Sequence, residues 1–384
     1  MNARKRSAPR TAEEPAAVLA VYKPRGMTSH DVVDRVRRIL GIRRVGHGGT
    51  LDPAAEGVLV LGAGAATRVL RFLGSFPKDY VGLWVGGEAT DTYDAEGRVV
   101  ERREIVELAD RDLYAAFAAL VGPLRQRPPR YAAVRVGGRR LYDLARAGVD
   151  VEPPEREVYV YAVKVCSPVV RGGRAEAGFA VRVSPGTYVR SLAVDVGKLL
   201  GIPAHLGALV RLRSGGFTLA EAWTLAELEA QAQDVRLALR GADSGAAEGK
   251  PLAYSLRAVV RLFPRVRLDP EAERAVRHGR AFAPKDIRAW EPPAPVLRSA
   301  APTLLGEPKE REIFGRFCGS ESLASASGAG PVPAFAAFAP SVPPPDLVDL
   351  VAAVDALGKP IGFYRRRRDG SKERFLPEVV FPRP

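Results

Sequence analysis

Val45–Gly64 reads VGHGGTLDPAAEGVLVLGAG. A glycine-rich loop carrying one histidine and one aspartate runs straight into the apolar stretch Gly57–Gly64. A short apolar run bounded by glycines reads as a buried strand. No lysine follows the glycines, so the loop is not a phosphate-cradling P-loop, and no cysteine or histidine cluster accompanies it to hold a metal. What remains is one carboxylate, Asp52, on a turn fixed to a buried strand. Asp52-Pro53 is explained by turn initiation alone. A chemical role is open beside that, because an aspartate with its ordinary pKa near 3.9 is ionised at neutral pH and needs no neighbouring base to act as a nucleophile.

The flanking pattern mixes helices and strands without a strict alternation. Ala17–Pro24 is a short apolar strand stopped by proline. In Ser29–Leu40, Val32, Val33, Val36, Ile39 and Leu40 fall on one helical face, with Ser29 as the expected N-cap and Gly41 as the stop. Ala65–Gly74 reads as a helix, Lys78–Gly87 alternates as a strand, and Asp110–Gly122 is helical. Arg130–Gly138 reads as a strand and Arg139–Gly148 as a short basic helix. Arg156–Val170 and Glu176–Ser184 form a hairpin around Arg171–Arg174, and Thr187–Gly201 is another helix. The fold class expected is α+β: a mixed, mostly antiparallel sheet with flanking helices, followed by a small β-rich C-terminal domain.

The chain has 384 residues, enough for two domains with real cores. Its formal net charge is +14, and arginine far outnumbers lysine. That balance points to a polyanionic partner, since arginine suits planar, bidentate phosphate contacts. The two cysteines, Cys166 and Cys318, are too few for a disulfide framework or a cysteine-based zinc site, which fits a reducing compartment. No apolar run reaches membrane-spanning length.

Four stretches, in order, carry a resemblance. Gly46–Arg68 (GHGGTLDPAAEGVLVLGAGAATR) resembles the catalytic motif of the TruB family of tRNA pseudouridine synthases. Lys78–Val100 carries Lys-x-Tyr and Thr-Asp-Thr-x-Asp-x-x-Gly elements similar to that family's next block. Gln126–Gly148 and Ser184–Phe217 are similar to the two that follow. Gly48 stands where the family motif commonly has threonine, Ala132 where a serine usually follows the tyrosine, and Leu209–Arg213 departs from the usual paired-arginine run.

The resemblance implies a pseudouridine synthase-like fold and the cofactor-free, metal-free isomerisation of a tRNA uridine, position 55 of the T arm. Asp52 matches the catalytic aspartate, which either attacks the sugar or removes a sugar proton. Arg190 matches the arginine paired with it, and Tyr80 the tyrosine that stacks on the uracil and helps remove its C5 proton. Tyr188 and Leu209 match residues lining the uracil pocket. His47 matches the histidine placed where the flipped base leaves the stack. Read alone, Tyr80 is a half-buried strand tyrosine, Tyr188 and Leu209 are ordinary core residues, Arg190 is an exposed arginine near a helix start, and His47 is a loop histidine.

The domains expected are a disordered basic arm over 1–16, a catalytic domain over 17–240, a linker over 241–250, and a PUA-like RNA-binding domain over 251–384. An insertion near 290–346, rich in Ala, Ser, Gly and Pro, is expected to be disordered. A cytoplasmic monomer acting on tRNA, with no membrane contact, is expected. Two other classes stay open. One is an RNA-binding or tRNA-folding module without catalysis. The other is an aspartate-dependent hydrolase, which needs a second carboxylate such as Glu56.

Overall fold

The computed structural model describes residues 16–132, 134–137, 139–140, 149, 151, 153–239, 251–291, 304–305, 307–318, 335–338, 349–355, 357, 359–369 and 372–381. The arm before residue 16, the linker 241–250, residues 141–148 of the expected basic helix and most of the expected insertion lie outside them.

Strands β1 (Ala16–Lys23), β2 (Val45–His47), β3 (Glu56–Gly64), β4 (Lys78–Gly86), β5 (Arg156–Val165), β6 (Arg174–Val183) and β7 (Ala204–Ser214) belong to one sheet, twelve-stranded among the described residues. Its order is Tyr254–Ser255, β1, β3, β7, β4, β6, β5, Phe335–Phe338. Along that path only β3 and β7 run parallel. The mixed, mostly antiparallel sheet is therefore as expected.

β7 was not expected as a strand, although it lies at the centre. Arg211 and Arg213 interrupt its apolar pattern, yet they are 1% and 7% exposed, because other parts of the fold satisfy both guanidinium groups.

Helices α1 (Ser29–Leu40), α2 (Asp110–Ala118) and α3 (Val189–Leu200) cover the sheet. α1 buries Val32, Val33 and Val36 against Leu19, Leu59 and Leu61. α2 and α3 bury Leu113, Phe117, Leu192 and Val196 over Tyr80 and Trp84, and the Trp84 indole donates to the Ala193 carbonyl at 3.0 Å. Gly41 ends α1 at φ 68°, as expected of a left-handed C-cap. The N-cap differs from the expected Ser29. Thr28 accepts from the Asp31 amide, and the Asp31 carboxylate accepts from the Thr28 amide. That reciprocal capping box leaves the Ser29 hydroxyl free for another task.

The C-terminal part is β-rich, as expected. β8 (Arg265–Leu268), β9 (Ile287–Glu291), β10 (Leu350–Val354), β11 (Pro360–Asp369) and β12 (Lys372–Val380) form a five-stranded sheet in the order β9-β8-β10-β11-β12. It is not a loosely tethered tail. Phe363 of β11 meets Phe72 at 4.8 Å and Phe263 at 4.9 Å between ring centroids, within the core that holds Val60, Leu73 and Val81.

The expected insertion also departs from a disordered segment at two places. Pro308–Phe317 is a helix, α4, and Phe335–Phe338 pairs with β5. Composition hid α4 because its apolar positions, Ile313 and Phe314, bury in a core made by the other parts of the chain. Beside α4, Cys318 is disulfide-bonded to Cys166, which follows β5; the expectation that two cysteines fit a reducing compartment did not foresee this pairing, because the partners lie far apart in sequence.

Candidate active site

The loop between β2 and β3 is held from below by cations and one hydroxyl. Arg211 donates to the carbonyls of Val58 (2.7 Å), Thr50 (3.2 Å) and Gly49 (3.1 Å). Lys23, fully buried at the end of β1, donates to the carbonyls of Pro24, Met27 and Pro53 at 2.9, 2.6 and 3.2 Å. Ser29 accepts from the Leu51 amide at 2.8 Å and donates to the Leu51 carbonyl at 3.1 Å. Gly57, at φ +106°, lets β7 pass, since a Cβ there would come within 2.2 Å of the Arg211 carbonyl. Asp52 therefore rides on a braced turn, with the Ala55 amide donating to its carbonyl at 3.1 Å.

The Asp52 carboxylate forms an ion pair with Arg190 Nε at 2.9 Å. Arg190 sits in the first turn of α3 and is 4% exposed. Its Nη1 donates to the Thr92 carbonyl at 3.0 Å and its Nη2 to the Tyr131 carbonyl at 3.0 Å. Asp94 Oδ2 lies 3.6 Å from Nη1. A buried guanidinium at the positive end of a helix is unfavourable, and the two carboxylates offset that.

Asp52 keeps 39% of its side-chain surface open to the cavity. Burial on its other sides raises its carboxyl pKa above the ordinary range; Arg190 pulls it down, and the Asp94 charge adds to the rise.

A cavity of about 300 Å³ opens over this pair, walled by Tyr80, Tyr188, Leu209, Lys78 and the loop from Gly48. Tyr80 and Leu209 face inward from β4 and β7. The Tyr188 main chain is clamped by the Gln126 side chain, which donates to its carbonyl at 3.1 Å and accepts from its amide at 2.7 Å. The Arg156 guanidinium lies 5.4 Å from its ring centroid. Lys78 donates to the Gly74 and Phe76 carbonyls; burial, then the Arg211 charge, pushes its ammonium down to about 7. Lys23 is pushed down to about 8, chiefly by burial.

Of the residues singled out from the sequence, Asp52, Tyr80, Tyr188, Arg190 and Leu209 meet around this one cavity. His47 adjoins it without lining it. His47 lies on β2 opposite Leu61, its Nδ1 is buried without a hydrogen-bond partner, and burial with the nearby Arg211 lowers its pKa. Glu56 does not line the cavity; it accepts the Tyr22 hydroxyl at 2.6 Å.

Lys23, Asp94 and Arg211 were not singled out. Asp94 was within reach, as the last acid of Thr-Asp-Thr-x-Asp. Lys23 and Arg211 look in sequence like any surface cation. Among the described residues, no three or more His, Cys, Asp or Glu side chains gather where a metal ion could sit.

The chain as a whole resembles known proteins. The model of the TruB family pseudouridylate synthase N-terminal domain matches residues 37–189. That of the tRNA pseudouridylate synthase B C-terminal domain matches residues 190–246. A tRNA pseudouridine synthase B of Halalkalibacterium halodurans is 41% identical over 270 residues, 70% of this chain and 85% of its own. One from Lactiplantibacillus plantarum is 41% identical over 284 residues, 73% of this chain and 89% of its own. Among solved structures, one of a Cbf5-Nop10-Gar1 complex superposes with a TM-score of 0.60 at 22% identity, covering 96% of this chain and 85% of that one. That likeness is one of fold.

Proposed function

The chain belongs to the TruB family of tRNA pseudouridine synthases and isomerises uridine in tRNA, and we propose that its target is uridine 55 of the T arm, with Asp52 as the catalytic carboxylate. The observation that carries this reading is the Asp52–Arg190 pair at 2.9 Å on the floor of a cavity walled by Tyr80, Tyr188 and Leu209. Isomerisation breaks the N1–C1′ bond, turns the uracil and joins C5 to C1′; the C5 proton is lost and N1, freed from the sugar, takes up a proton in its place. Asp52 serves either by adding to C1′ and later leaving, or by taking the C2′ proton and returning it. Both routes need it ionised, and Arg190 favours that state.

The base must be flipped out of the folded loop. Tyr80 then stacks on it and helps remove the C5 proton, Tyr188 and Leu209 confine it, and neutral His47 fills the space it left. Excluding water from the site keeps the freed uracil from being lost to hydrolysis. A hydrolase is a poorer fit, because Glu56 is engaged with Tyr22 and Asp94 lies against Arg190. Nucleotide-resolution mapping of pseudouridine on unmodified tRNA tests the assignment: conversion at position 55 alone is expected, and conversion elsewhere or none contradicts it.

The enzyme acts in the cytoplasm as a monomer without a cofactor in this reading, and residues from 251 onward serve as a PUA-like domain that holds the tRNA. The basic run Arg365–Arg368 contributes less than its charge suggests. Arg365 pairs with Glu378, and Arg366 and Arg368 pair with Glu373. Exposed Arg367 stands opposite exposed Arg374 across β11 and β12, and like charges side by side there suit a phosphate. Affinity for unmodified tRNA is expected to fall steeply with salt, through counterion release. The double variant Arg367→Ala, Arg374→Ala should lower the log–log slope by up to about two. An unchanged slope excludes that edge from phosphate contact, and a flat line in the parent removes the electrostatic argument.

A further inference from the structure

β4 faces two ways. Lys78 and Tyr80 wall the cavity. Asp79, between them, points to the other side of the sheet and is 2% exposed. There Arg182 of β6 grips it in bidentate fashion, Nε to Oδ1 at 2.8 Å and Nη2 to Oδ2 at 2.7 Å. Arg213 of β7 pairs with Oδ2 through Nε at 3.2 Å.

These three residues lie in register across β6, β4 and β7. A register shift between Arg211 and Arg213 lets Arg211 line the cavity while Arg213 reaches Asp79, the re-aiming that a bulge provides. Within the sheet the group holds two guanidinium charges against one carboxylate. The second carboxylate comes from α4: Glu310, 1% exposed, lies 3.4 Å from Arg213 Nη2.

α4 is seated for this contact. Gly178 of β6 leaves room for its end, since a Cβ there would come within 2.8 Å of the Phe317 backbone and 3.0 Å of Cys318 Sγ. The Cys166–Cys318 bond ties that end to β5. Residues 308–317 lie beyond both matched family domains, the second of which ends at residue 246.

We propose that Glu310 is a positioning residue for the isomerisation: from α4 it neutralises the Asp79–Arg182–Arg213 cluster and so fixes β4 and β7 directly behind Tyr80 and Arg211. The inference rests on reading the Asp52 cavity as the active site. Removing one member of a buried charge group leaves its partner uncompensated. Without Glu310, Arg213 must turn toward another acceptor, and the strand pairing that sets Tyr80 opposite Arg211 loosens. A displacement on the order of 1 Å at reacting groups costs about a hundredfold in rate. Glu310 itself is 1% exposed and cannot touch the tRNA, so the loss should fall on turnover.

The test measures steady-state kcat at saturating tRNA, KM and thermal melting for Glu310→Gln, Glu310→Asp and Ile313→Ala, alongside Asp52→Asn. Glu310→Gln should lower kcat about tenfold or more with KM within about twofold. Glu310→Asp, which keeps the charge on a shorter arm, should fold and recover part of the rate. Ile313→Ala loosens the packing of α4 without touching the charge group; it should lower the melting temperature and leave kcat near the parent's. Full kcat in folded Glu310→Gln overturns the proposal. If that variant does not fold, Glu310→Asp carries the test: a folded Glu310→Asp that keeps the charge yet shows no more turnover than Asp52→Asn overturns it. A loss in Ile313→Ala equal to that in Glu310→Gln overturns it too, by showing that stability alone is responsible. Turnover by Asp52→Asn overturns the reading of the cavity itself, whereas inactive Asp52→Asn beside fully active Glu310→Gln overturns only the role of Glu310.

Discussion

Asp52→Asn is expected to make no measurable pseudouridine, a loss on the order of 10⁴-fold or more, while its affinity for unmodified tRNA should stay within about tenfold of the parent's. Asparagine has the same shape and can occupy the same braced turn, whose supports from Lys23, Ser29 and Arg211 go to main-chain atoms. It cannot add to C1′ as a carboxylate or take a proton from C2′. A pseudouridine assay with a filter-binding isotherm separates the two quantities. Turnover in the variant removes Asp52 from the chemistry, and a collapse of binding with the fold intact makes the loop a docking element.

The same substitution carries a stability signature of definite sign. Burial raises the folded pKa of Asp52 above its unfolded value. The folded state therefore binds the proton more tightly, and stability from this group is lost as pH rises from the ordinary carboxylate range through the raised value. At neutral pH the ionised, partly buried carboxylate is a cost to folding, offset by Arg190. Asparagine removes that cost, so the variant should melt no lower than the parent. A markedly lower melting temperature would mean that the carboxylate is needed to hold Arg190 and the turn together.

How far the sequence could be read depended on whether a residue's partner is local. The α1 face from Val32 to Leu40 and its Gly41 stop follow from a 3.6-residue period and a glycine φ. The capping box at Thr28 was within reach too, since Thr28 and Asp31 stand three apart; Ser29 drew attention by being adjacent to the apolar face. β7 and α4 were invisible for a different reason. β7 carries two buried arginines whose acceptors come from residues 49–58, Asp79 and Glu310. α4 lies in a stretch whose composition suggests no core, and it completes a core built by residues far away in sequence. In the site, Asp52, Tyr80 and Arg190 were singled out by the resemblance to the family's motifs; read alone they were a turn aspartate, a strand tyrosine and an exposed arginine. Lys23 and Arg211 were not singled out, because a buried cation and a solvated one are the same letter until the carbonyls around it are known.

Arg190→Lys tests the other half of the pair and should lower kcat by 10²–10³-fold, about 3–4 kcal/mol, with tRNA affinity little changed. Arginine meets four groups here with three nitrogens in one plane: Asp52 through Nε, Thr92 and Asp94 through Nη1, and Tyr131 through Nη2. A lysine ammonium is a single point on a flexible stem. It can stay near Asp94 and the Thr92 carbonyl or approach Asp52, but it cannot span them. Two consequences follow for Asp52: it is aimed less well, and its nearest positive charge moves away. Arg190 lowers the Asp52 pKa against the rise caused by burial and Asp94, so weakening that contact lets the pKa rise further. The acid limb of kcat against pH should therefore shift upward, with the rate loss growing toward the acid end of the profile. A merely structural arginine would lower the amount of folded enzyme without moving that limb. Full activity with an unmoved limb in Arg190→Lys would leave Asp52 without its proposed electrostatic partner, and the raised pKa of its carboxyl would then have to be tolerated by the chemistry unaided.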